Sequence, residues 1–205
     1  MIHHHIDLGS VLRGTVCALY SNLVTRPTGV AVRTEIERAI AEAGGRTVTV
    51  IDFSQVTLLD FSCADEIVAK LMLRSVEDAA RAIEARAQEA REAGVPEGYF
   101  VFRGVCDRHL DAIEAVLERH GLAIVAQVDG RAQLVGEVAA EERAAWDRLC
   151  ELGAADAEAL GADAAPLLER LAARRLVMPV DGGWAAVGAR LELPPEPGPA
   201  RGRAA

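Results

Sequence analysis

Asp52, Asp60, Ser62 and Cys63 fall within one stretch, VIDFSQVTLLDFSCADEIVAKL, and hold most of the chemistry the chain has to offer. Two carboxylates can divide general acid and base work between them. That chemistry needs a histidine, a nucleophile or a Gly-rich phosphate loop alongside, and the stretch supplies none. Asp52 therefore reads as the end of a strand. Cys63 stands at a helix start, where the positive end of the dipole favours thiolate, but the adjacent acids oppose it. It reads as a core thiol. Ser62 is open to two readings. Its oxygen can cap free backbone N–H groups, and Ser62-Cys63-Ala64-Asp65 has nearly the spacing of a capping box. The same donors and the same dipole would hold a phosphate on that serine.

Other candidates are weaker. His3-His4-His5 reads as strand, tag remnant or metal site. Side chains alternate along a strand, so only His3 and His5 share a face, and no second cluster completes a zinc set. No metal or cofactor is expected, and no catalytic residue is assigned. Cys17, Cys63, Cys106 and Cys150 lie far apart with no zinc spacing, which predicts free thiols in a reducing compartment. Arg26 lies in a Thr- and Pro-containing turn, where it binds an anion or pairs with a nearby acid.

The elements that position these residues follow from periodicity. Ile2 to Leu8 predicts a short strand. Val11, Leu12, Val16, Leu19, Tyr20 and Leu23 recur at helical spacing. Thr25-Arg26-Pro27-Thr28-Gly29 breaks that pattern, and a helix carrying Val32, Ile36, Ala39 and Ile40 follows, stopped by Gly44-Gly45. Val48, Val50 and Ile51 predict a strand buried on both faces. After Ser62, Ile67, Val68, Leu71 and Met72 predict a helix. From Arg74 to about Glu92 the sequence reads as a long solvent-facing helix or an insertion. Tyr99 to Val105 is a strand, Asp107 to His120 an amphipathic helix, and Leu122–Val128 with Ala132–Val135 a hairpin about Asp129-Gly130. The expected fold is α/β, with helices packed on a sheet.

Beyond Val138 three helices (Glu141–Leu152, Ala155–Leu160, Ala164–Arg174) precede strand, turn and strand. That is the order of a winged helix-turn-helix. Leu167, Leu168 and Leu171 should face its core, and Trp184 should pack beneath the wing. Arg170, Arg174 and Arg175 are its candidate DNA contacts. Yet 140–190 holds nine acids against six bases, a net of −3, where DNA-reading faces carry a basic patch. Protein docking or dimerisation is the favoured use of the module. The expected division is 1–138, 139–192 and a disordered Pro- and Gly-rich tail over 193–205.

The whole chain of 205 residues has a formal net charge of −9, which argues against bulk electrostatic binding of nucleic acid. No stretch reads as a signal peptide or membrane span, so a cytoplasmic protein without a membrane partner is expected.

VIDFSQVTLLDFSCADEIVAKL resembles the signature of the STAS family, the fold of anti-sigma-factor antagonists. There a buried strand ends in Asp, a loop follows, and an Asp-Ser-Ser-Gly-type turn opens the next helix. By position Asp60 matches the family's Asp, and Ser62 matches its phosphoacceptor. LVTRPTGVAVRTEIERAI resembles the entry helix of the STAS-like branch. Phe61 stands where the family has its first serine and Cys63 where it has glycine, and Asp65 and Glu66 would repel a phosphoserine.

The resemblance implies a non-enzymatic signalling protein that docks a partner through Asp60, Phe61, Ser62, Cys63 and Asp65. The implied partner is an anti-sigma factor or a histidine-kinase-like ATPase, with Ser62 phosphorylation as the switch. A DNA-binding regulator with the α/β part as sensor or dimeriser is the alternative. A ligand-binding or enzymatic use of the scaffold, and self-association, stay open.

Overall fold

The computed structural model describes residues 2–15, 21–88, 98–128, 131–161 and 163–189. The chain opens with β1 (Ile2–Asp7) and α1 (Leu8–Thr15), then β2 (Asn22–Leu23) and α2 (Arg26–Ala43). β3 (Thr47–Asp52) and β4 (Leu58–Leu59) lead into α3 (Phe61–Ala64), a π-helical turn (Asp65–Ala69) and α4 (Lys70–Gln88). β5 (Gly98–Arg103), α5 (Asp107–His120), β6 (Ala123–Val128) and β7 (Arg131–Gly136) complete the first part. α6 (Ala140–Leu152), α7 (Ala157–Leu160), α8 (Ala164–Ala173), β8 (Val177–Val180) and β9 (Gly183–Ala186) follow.

The central sheet runs β1-β3-β5-β6-β7. The first four strands are parallel, and β7 closes the edge antiparallel to β6 with Val128 opposite Arg131. That register is the one a two-residue connection produces, and Asp129-Gly130 itself lies outside the described residues. The protein is thus α/β with a mostly parallel sheet.

Alternation along the strands divides the core in two. Ile6, Ile51, Phe100, Phe102 and Ile124 face one way, into a core shared with α1, α2, α3, the π-turn and α5. Val48, Val50, Tyr99, Val101, Ala123 and Val125 face the other way, against Trp146, Leu149, Leu168, Leu171, Leu176 and Val177. Every residue of β3 is buried, as helices on both faces require. The expected boundary at 138 falls between β7 and α6, but the C-terminal elements share their core with the sheet. Leu168 and Leu171 are buried as expected, whereas Leu167 is only half-buried. Trp184 is half-buried against this core.

Three local expectations are corrected. Of the helix predicted from Leu8 to Leu23, the described part is α1 (Leu8–Thr15), and Leu23 lies in β2, opposite Leu59 of β4. Burial of that pair outweighs the helical spacing of Leu23, while Val16, Cys17, Leu19 and Tyr20 lie outside the described residues. Thr25–Gly29 does not break a helix but begins one. Thr25 caps α2 by accepting from Thr28 N at 3.4 Å, and Pro27 occupies the first turn, where its missing N–H costs nothing. Finally, the helix after Ser62 is interrupted by the π-turn. α4 then runs to Gln88, and neither 89–97 nor the tail over 190–205 is among the described residues.

Candidate functional site

The cap of α3 is Asp60, not Ser62. Asp60 has extended backbone, and its Oδ1 accepts from Cys63 N at 2.8 Å. Ser62 is already helical, and its hydroxyl donates back to the Asp60 carboxylate at 2.9 Å and 3.1 Å. The capping-box reading of Ser62 to Asp65 therefore fails, because the cap lies two residues earlier. Asp60, Phe61, Ser62, Cys63 and Asp65 are nevertheless brought together over the first turns of one helix.

α3 and the π-turn lie between α2 and α5. On the α2 side Arg26 Nη1 donates to Asp65 Oδ2 at 3.0 Å and to Glu66 Oε1 at 2.6 Å. Arg33 Nε reaches Glu66 Oε2 at 3.3 Å, and Lys70 also pairs with Glu66. On the α5 side His120 Nε2 lies 3.0 Å from Asp65 Oδ1, and the Arg119 guanidinium sits 5.7 Å from the Phe61 ring centroid. Burial alone would push the Asp65 and Glu66 carboxyls up. Hydrogen bonds from His120 and Arg26, and from Lys70, Arg26 and Arg33, outweigh it and hold both below their ordinary values. Single π-helical turns often occur at functional sites. This one sets two consecutive acids into a ring of cations.

Cys63 is fully buried, and its Sγ lies 3.0 Å from the Thr25 carbonyl. Burial, reinforced by Asp60, pushes the thiol up to about 12, so it is a packed thiol and not a nucleophile. Asp52 does not meet Asp60. It shares the sheet face of Val48 and Val50, accepts from Ser54 N at 2.8 Å, and lies 3.1 Å from His5 Nε2 and 3.8 Å from Arg103 Nε. No carboxylate pair forms. Among the described residues no three His, Cys, Asp or Glu side chains gather as a metal set.

Val24, Leu58 and Phe61, all in the segments that meet at the turn, are three of the five exposed large hydrophobic residues among those described; Val30 and Leu152 are the others. β2 and β4 pair Asn22 with Leu58 and Leu23 with Leu59, and the Asp60 N–H donates to the Leu23 carbonyl at 2.8 Å, which brings Val24 beside the turn. Sequence inspection missed Leu58. No sequence signal marks it, because Leu58-Leu59 is a two-residue strand, too short to show a period; in the fold Leu59 is buried and Leu58 exposed. Arg119 and His120 were also missed, because only the fold brings the end of α5 to Phe61.

The C-terminal arginines are placed elsewhere. Arg170 Nε donates to the buried Glu142 at 2.6 Å, while Arg174 reaches Glu142 at 3.4 Å and the Glu137 carbonyl at 2.6 Å. Arg175 is buried, with its guanidinium 5.1 Å from the Tyr99 ring centroid and its backbone left-handed at φ 60°. A buried Arg175 cannot touch DNA, because its side chain fills the junction between α8 and the sheet.

Two clefts lie apart from the turn. One of about 170 Å³ is bounded by Ile40, Leu71, Arg74 and Phe100, with Glu37 paired to Arg33 and Arg74. Another of about 370 Å³ lies between His3, Val48, Met178 and Ala185. The chain matches no family model, no curated protein and no solved structure. Among the described residues no helix is long and apolar enough to cross a membrane.

Proposed function

We propose that this chain is a cytoplasmic, non-enzymatic regulatory protein that docks a protein partner at the Asp60–Ser62 turn. The observation carrying this reading is the convergence of Val24, Leu58 and Phe61 on that turn, where exposed apolar side chains gather beside a polar helix start. Contiguous apolar surface rimmed by polar groups marks interaction sites. The strand, loop and Asp-x-Ser helix start agree with the STAS-like resemblance, which names an anti-sigma factor or a histidine-kinase-like ATPase as the partner. The three helices and hairpin that follow agree with a winged-helix-like module packed on the sheet.

Ser62 supplies the switch in this reading. A phosphoryl group would replace the proton now donated to Asp60 and set about −2 of charge against that carboxylate. Repulsion would loosen the cap and place a dianion in the apolar docking surface. The acids of the next turn do not forbid this, since Asp65 and Glu66 already face Arg26, Arg33, Lys70 and His120. The DNA-binding alternative would rest on Arg170 and Arg174 alone, both engaged by Glu142.

Pull-down from the source organism's lysate with wild type, Ser62→Glu and Leu58→Asp tests the reading. The expected result is an ATPase-type or anti-sigma partner retained by wild type and lost with both variants. Equal retention by all three would reduce the turn to a helix start.

A further inference from the structure

We propose that the segment seated on this turn is acidic and amphipathic, with one or two large apolar side chains flanked by Asp or Glu. The inference rests on the docking reading above and adds the chemistry of the partner. Its basis is the way charge is layered around Phe61. The carboxylates of the site are sunk, with side-chain exposures of 10% for Asp65 and 1% for Glu66. Of the four cations that neutralise them, Arg26 at 48% and Lys70 at 42% stand outside, while Arg33 at 22% and His120 at 27% are more enclosed. A chain with net charge −9 thus shows a cationic rim around its apolar patch.

Two guanidinium groups have donors to spare. Arg26 binds both acids through Nη1, and its Nε and Nη2 make no hydrogen bond among the described residues. Arg119 is exposed, pairs with no carboxylate among them, and lies over the exposed ring of Phe61. A guanidinium offers five donors in a planar fork suited to carboxylates. Glu118, Asp111 and Glu114 lie about 80–140° around α5 from Arg119, on the face turned away from its buried residues, and none of them pairs with Arg119 among the described residues. Asp60 is occupied by Ser62 and the Cys63 N–H. A partner segment can therefore lay apolar side chains on Leu58, Val24 and Phe61 while its carboxylates reach Arg119 and Arg26. Such complementarity fixes partner choice and steers encounter.

A phage-displayed library of random peptides, panned on the full chain after depletion on Leu58→Asp protein, tests this directly. The expected winners carry net negative charge with large apolar residues. Their binding should weaken tenfold or more with Arg119→Glu, weaken less with Arg119→Ala, and fall with added salt. Leu58-dependent peptides that are neutral or basic, or that bind Arg119→Glu within twofold of wild type, would overturn the acidic partner and leave the docking surface standing. Absence of any Leu58-dependent peptide would remove both.

Discussion

At the scale of single residues, Asp60, Cys63 and Glu66 make separate, measurable contributions. Asp60→Ala removes the cap of α3 and the acceptor for Ser62, so it should lower stability by about 1 kcal/mol in urea titration. Ser62→Ala should cost less, since the cap remains. The carboxyls of Asp65 and Glu66 lie below their ordinary values of 3.8 and 4.5 in the folded chain. Depressed groups add stability that is fully present above the unfolded pKa and lost as pH falls through the folded one. Stability should therefore drop on acidification below about pH 4.5, and Glu66→Gln should flatten that drop. An unchanged acid slope in Glu66→Gln would show that the cation ring is not what holds the acids down. A thiol reagent at pH 8 makes a further check. Native Cys63, buried and pushed up to about 12, should stay unreacted, so Cys63→Ser should leave the fast-reacting thiol count unchanged. Ser62 and Asp60 were visible in the sequence as a helix start. Which of them caps the helix was not, because both types cap well and only the backbone angle at Asp60 decides.

At the scale of elements, the site exists because α2 approaches α3 and the π-turn closely. A Cβ at Gly29 would stand 3.1 Å from Cys63 Cα and 3.1 Å from Glu66 Cβ. Glycine to alanine inside a helix ordinarily stabilises, by up to about 1 kcal/mol. Here the neighbours are the Cys63 backbone and the base of the buried Glu66 side chain, which must give by a few tenths of an ångström, so Gly29→Ala should destabilise by about 1–3 kcal/mol, as overpacking does. A higher thermal midpoint for Gly29→Ala would contradict the close approach. The helical periodicity of α2, α5 and α8 was legible because each buries one stripe. β2 and β4 were not, because two-residue strands carry no period. The π-turn was equally hidden, since Asp65-Glu66 followed by Ile67-Val68 satisfies an ordinary helix pattern until Arg26, Arg33 and Lys70 are placed around it.

At the scale of the whole molecule, the parallel sheet was legible in its unbroken apolar strand, but its second cover was not. Leu168 and Leu171 read as the core of a separate module, and only the face assignment of Val48, Val50 and Tyr99 shows that they cover the sheet. Trp146 is buried and donates from Nε1 to the Leu176 carbonyl at 3.0 Å. A fragment comprising residues 1–138 should therefore expose an apolar sheet face and aggregate or lose cooperative unfolding. A soluble, cooperatively folding fragment would contradict the shared core. The intact molecule then presents the turn as a surface on a scaffold buttressed from both sides. The central claim is that this turn is where a partner docks, and titration calorimetry of the captured partner against wild type, Phe61→Ser and Leu58→Asp tests it most directly. Both substitutions replace exposed side chains, so both variants should unfold like wild type yet bind at least tenfold more weakly, whereas an unchanged Kd would place the contact elsewhere on the protein.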